Sequence, residues 1–136
     1  MSKESNKRAL KELIEIFYPN NKLKTETCYD WMGYEINEYN PLTLHHITKA
    51  STLRSKKESD ETTIDNGACL GDLSHIPLHT IEKVDSALYN AWNDLFKTIN
   101  DSRKEIDEDT IGKIKILQTL SLEALDSTNK DNKKEK

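Results

Sequence analysis

All four histidines of this chain fall in one central region: His45 and His46 in "NPLTLHHITKAS", His75 and His79 in "SHIPLHTIEKV". Imidazole can ligate a metal through either ring nitrogen, and it exchanges a proton near neutral pH. Histidines at i and i+4 on a helix stand one turn apart on one face, so both rings can reach one ion. Pro77 lies between His75 and His79, and proline is tolerated in a first helical turn, where its missing N–H costs nothing. The pattern therefore puts His75 at a helix start and His79 one turn in. His45 and His46 are neighbours on an expected strand, so they point to opposite faces. One of them can reach a metal held by the helix. The other is free to act as a base or to bind phosphate. Either pair alone is a weak signal, but the ordered series His-His, Asn, His-x-x-x-His is much more specific.

The elements that must position these residues can be read from the hydrophobic pattern. "NKRALKELIEIFYP" has Leu10, Leu13, Ile14 and Phe17 on one helical face and ends at Pro19. Residues 20–40 mix turn formers and aromatics, with a short strand or turn expected near 28–33. "PLTLHHIT" alternates, with Leu42, Leu44 and His46 on one side and Thr43, His45 and Ile47 on the other. After a long hydrophilic connection, "ACLGDL" reads as the return strand. Asn66-Gly67 can serve there as a hairpin turn. Ile81, Val84, Leu88, Trp92, Leu95 and Ile99 recur at the spacing of one continuous helix. A last helix follows, with Asp107 as its N-cap and Ile111, Ile114, Leu117 and Leu125 along a face. The expected fold class is α+β, as one domain over residues 1–126 with its motif core at about 40–85. Residues 127–136 read as a disordered tail.

Composition bounds the partners. The chain has 136 residues, is 35% hydrophobic and 32% charged, and carries a formal charge of -4. A surface basic throughout, as in many nucleic-acid binders, is excluded. An anion site has to be local, and "KASTLRSKK" supplies Lys49, Arg54, Lys56 and Lys57 as candidate phosphate contacts; a solvated polar loop reads equally well. No apolar run reaches the length of a membrane span, and "MSKESNKRAL" lacks the apolar core of a secretion signal. The expectation is a cytoplasmic protein without membrane contact, whose Cys28 and Cys69 are free thiols.

"LTLHHI…IDNGACLGDLSHIPLH" resembles the HNH endonuclease motif, the ββα-metal fold, in the form seen in the nuclease domains of the DNase colicins. The match covers about residues 40–85. It includes Asp65-Asn66 and a histidine nine positions after the Asn. The resemblance implies a hairpin plus helix core, flanked here by N-terminal and C-terminal helices. It implies one divalent metal ion held by His45, His75 and His79, with His46 as the general base that activates water. Asn66 would hold the loop and orient His46. Asp65 matches the pattern but receives no catalytic role. The implied reaction is hydrolysis of DNA phosphodiester bonds, leaving 5′-phosphate and 3′-hydroxyl ends. Imidazole ligands favour Zn, Ni, Co or Mn over Mg. Many family members also carry a zinc ribbon built from two CxxC pairs. Here those positions fall on Cys28 and Trp31 and on Gly71 and Ser74, so no structural zinc is expected. Packing of Trp31, Tyr29 and Tyr34 against the helices would have to hold that region.

Two other readings stand beside the endonuclease. One is a catalytically inactive member of the fold, acting as a protein- or DNA-interaction module such as a phage accessory or inhibitor. The acidic charge and the missing ribbon favour it, and the intact histidines oppose it. The other is a zinc hydrolase with a different substrate, against which the lack of an HExxH acid counts. The small size and the Lys, Asn and Ile content suit a phage or mobile-element gene. A homodimer, or a phage or restriction partner protein, would fit such a role.

Overall fold

The structure, a computed structural model, describes residues 3–47 and 64–134, with side chains over 6–47 and 64–127. The elements in chain order are α1 (Lys3–Phe17), α2 (Lys22–Thr25), β1 (Cys28–Tyr29), β2 (Glu35–Ile36), β3 (Leu42–His46), β4 (Gly67–Gly71), α3 (His75–Val84), α4 (Ser86–Ser102) and α5 (Glu108–Lys134). This is an α+β arrangement with two separate two-stranded antiparallel sheets, β1–β2 and β3–β4. No helix among the described residues is long and apolar enough to cross a membrane.

The β3–β4 hairpin lies at the centre. Its register pairs Leu42 with Gly71, Leu44 with Cys69, His45 with Ala68 and His46 with Gly67. Side chains alternate across a strand, so Leu44, His46, Gly67 and Cys69 share one face, and Thr43, His45, Ala68 and Leu70 share the other. The first face meets α1: a Cβ on Gly67 would lie within 3 Å of side-chain methyls of both Leu13 and Leu44. The second face meets α3 and α4 through His75 and Phe96. Covered on both faces, β4 is buried at every residue. It reads as a short apolar run, not an alternating one. Gly67 starts a strand here and does not form a two-residue turn with Asn66, which ends a short 3-10 turn at Ile64–Asn66. Steric closeness to Leu13 and Leu44, not turn geometry, therefore explains this glycine.

The single helix expected across His75 to Ile99 is two helices. Asp85 breaks it with extended backbone (φ -152°, ψ 87°), and its carboxylate accepts from the Leu88 N–H at 3.0 Å. An Asp side chain that bonds the backbone two or three residues ahead competes with helix continuation and starts a new one. Val84, the last residue before the break, is exposed and outside the core. α1 presents Leu13 and Phe17 to the core as expected. Asp107 caps α5 through the Thr110 N–H at 2.9 Å. On α5, Ile114 is buried but Ile111 is exposed. The backbone of α5 runs on to Lys134, into the segment read from sequence as a disordered tail.

Both cysteines are free and buried. Trp31 is fully buried, with its ring 4.8 Å from Phe17 and 6.5 Å from Phe96. Tyr34 packs partly against the core. Tyr29, expected to pack against the helices, is instead exposed. On a two-residue strand its side chain takes the outward face and Cys28 the inward one.

The segment between β1 and β2 is fastened to the hairpin by Asp30. Its buried carboxylate accepts from the N–H groups of Met32 and Tyr34, from Gly71 N–H at 2.7 Å and from the Ser74 hydroxyl at 2.6 Å. The Trp31 N–H adds a bond to the Cys69 carbonyl.

Candidate metal centre

β3 and α3 bring His45, His75 and His79 together. The ring centres of His45 and His75 are 6.0 Å apart, and those of His75 and His79 are 6.0 Å apart and stacked. His75 is the first residue of α3 and His79 lies one turn later, with Pro77 in the first turn between them. His45 is buried and His75 is partly covered. The His79 side chain is 61% exposed, so the centre opens to solvent at that end.

The hydrogen-bond network fixes which ring nitrogens face the centre. The Thr43 hydroxyl has one proton, and it donates that proton to the Leu70 carbonyl at 2.8 Å. Its contact with His75 Nε2 at 2.7 Å must therefore be a bond donated by His75. With the Asn93 amide oxygen 2.9 Å from His45 Nε2, that nitrogen also carries the proton. Both rings are left with Nδ1 lone pairs. Metal-ligating histidines are commonly oriented in this way, with one nitrogen donating to a protein acceptor and the other facing the ion.

Electrostatics keep those lone pairs free of protons. Burial lowers the His45 pKa to about 4, against the opposing Asn93 hydrogen bond and with help from the neighbouring histidines. Burial and then the proximity of His79 lower that of His75. A neutral imidazole is the form that ligates, so at pH 7 protons do not compete for these sites.

Two imidazoles on one tetrahedral ion place their ring centres about 5 Å apart. The observed spacings of 6.0 Å are about 1 Å wider, and among the described residues no three such side chains converge on one point. The donor set fits a transition metal.

His46 does not join this ring group. It ends β3 on the hairpin's other face, paired in register with Gly67. The neighbouring Ile47 N–H donates to the Asn66 carbonyl at 2.9 Å, so Asn66 closes the hairpin end beside His46. That turn is held in turn by Asn100 of α4, whose amide donates to the carbonyls of Ile64 and Gly67. Asp65 pairs with Arg103, and its carbonyl accepts from Lys97. Lys49, Arg54, Lys56 and Lys57 lie outside the described residues.

Phe96, expected from its helical spacing to be core, is buried against the His45 ring. Thr43, Asn93 and Asn100 support the hairpin and its histidines and were not singled out from sequence. Thr43 could have been, since it lies two residues before His45 and so on the same strand face. Asn93 and Asn100 carry no such local signal; only the packing of α4 on the hairpin brings them in. Comparison with family models, with curated proteins and with solved structures found no match to this chain.

Proposed function

We propose that this chain is a metal-dependent endonuclease of the HNH type that hydrolyses DNA phosphodiester bonds. The observation that carries the reading is the meeting of His45 from the first strand of a hairpin with His75 and His79 at the start of the following helix. The tautomers set by Thr43 and Asn93 support it, because they leave lone pairs for a shared ion. A divalent ion held there would supply stabilisation of charge on the phosphoryl oxygens and the leaving group.

The remaining roles belong to the chain itself. His45, His75 and His79 would hold the ion, and Thr43 and Asn93 orient two of those rings. His46, at the hairpin end, takes the proton from the attacking water. Asn66 fixes the turn on which the His46 backbone depends. The exposed side of His79 leaves room for a bulky polymer to approach.

The test is nicking of supercoiled plasmid by purified protein. It is run in EDTA and then with Mg, Mn, Ni, Co or Zn, alongside His46→Ala and His75→Ala. The expected result is cutting that requires a metal and is lost in both variants. Equal cutting by wild type and variants points to a contaminant. No cutting of supercoiled, linear or single-stranded DNA with any metal overturns the endonuclease and leaves the inactive interaction module.

A further inference from the structure

α5 carries a second feature, remote in purpose from the histidines. Lys113, Ile116, Leu120, Glu123 and Ser127 are all exposed, and they follow a three-four spacing that places them on one stripe of the helix. Ile116 is 62% exposed and Leu120 is 45% exposed. Beside this ridge the small side chains of α4 leave two shallow depressions that share Ala91 and Leu117. One, of about 320 Å³, adjoins Ile116; the other, of about 460 Å³, adjoins Leu120. The surface thus holds a ridge and, next to it, hollows of a size to receive apolar side chains.

The charges show what covers it. Lys113 stands at one end of the stripe and Glu123 at the other. Neither is in an ion pair among the described residues. Asp85 lines the hollow at the Glu123 end and Asp94 the hollow at the Lys113 end, so the Lys113 end is the less acidic of the two. If a second copy of α5 is laid antiparallel with Ile116 opposite Leu120 of the other copy, the same register sets Lys113 opposite Glu123 at both ends. A parallel pairing would oppose like charges. A two-fold interface requires a patch complementary to itself, and the antiparallel register gives this stripe that property through Ile116–Leu120 and Lys113–Glu123.

We propose that the α4–α5 face is a homodimer interface, with the two α5 helices antiparallel about a two-fold axis that crosses the stripe between Ile116 and Leu120. The proposal does not depend on the nuclease reading. The apolar ridge sits in the partner's hollows beside Ala91, and the Lys113–Glu123 pairs set the direction.

Sedimentation and light scattering on the full chain, up to about 100 µM, test this. The wild type should approach twice the 15.7 kDa chain mass. Ile116→Glu should be monomeric with unchanged circular dichroism, since the position is exposed. Lys113→Glu alone and Glu123→Lys alone should each weaken the dimer by about tenfold, and the two together should restore it. A monomeric wild type over the whole range overturns the proposal. So does a dimer indifferent to Ile116→Glu, or a double charge swap no better than the single ones. Binding of an unrelated protein by a monomeric chain at this face would show a different occupant and would overturn it equally.

Discussion

The Ser74 hydroxyl donates to the Asp30 carboxylate across 44 positions of sequence, at 2.6 Å and out of contact with solvent. With the Gly71 N–H on the same oxygen, this joins the β1–β2 segment to the end of the hairpin, just before the helix that carries His75. Gly71 and Ser74 are the positions at which the second CxxC of a zinc ribbon would fall. A carboxylate with four donors provides the link here. Asp30→Asn turns one acceptor into a donor facing donors. It should cost about 3 kcal/mol or more, and Ser74→Ala about 1–2 kcal/mol. Urea denaturation of the single and double variants gives the coupling. Additive losses would show that the pair is not the brace described.

Thr43→Val removes the acceptor that orients His75 while leaving the strand's shape. Affinity for Zn or Ni, read by competition with a chromophoric chelator, should fall about 10- to 100-fold. Thr43→Ser should retain it. Unchanged affinity in the valine variant would mean that the His75 tautomer is not set by this bond.

His45 gives the metal-free protein an acid sensitivity. Folded, it titrates at about 4; free, at 6.5. Between those values the unfolded chain binds more protons, so stability rises with pH through that window. It is complete above about 6.5 and is lost as pH falls towards 4, by about 3 kcal/mol from this residue. His75 is shifted in the same direction. In EDTA, the stability of His45→Gln should depend less steeply on pH than that of the wild type. Parallel profiles would contradict the buried, neutral state of His45.

Asn100→Ala removes the two bonds that Asn100 donates to the Ile64 and Gly67 carbonyls at the Ile64–Asn66 turn, and should cost about 2 kcal/mol. Faster amide hydrogen exchange in that turn, with β1–β2 unaffected, is the expected signature. Equal exchange in variant and wild type would show that α4 does not pin the turn.

Where periodicity was strong, sequence and structure agree: α1 with Leu13 and Phe17 inward, the strand Leu42–His46, and the Asp107 cap. The break at Asp85 escaped because apolar spacing on either side stays nearly in phase, while the signal for a break is one side-chain bond to Leu88. Strand alternation and i, i+4 spacing showed that one of His45 and His46 could join His75 and His79; the choice of His45 came from the resemblance to the HNH motif. The support from Asn93 and Asn100, and the Asp30 link, were not legible. Each is a contact between elements distant in sequence, and a polar residue's partner cannot be read from its own neighbourhood.

The Asp30 brace is neither a chelated ion nor a disulfide. Neither a chelator nor a reductant acts on this link. If the proposed histidine centre takes up an ion, successive metals can be compared on one preparation with this link intact throughout.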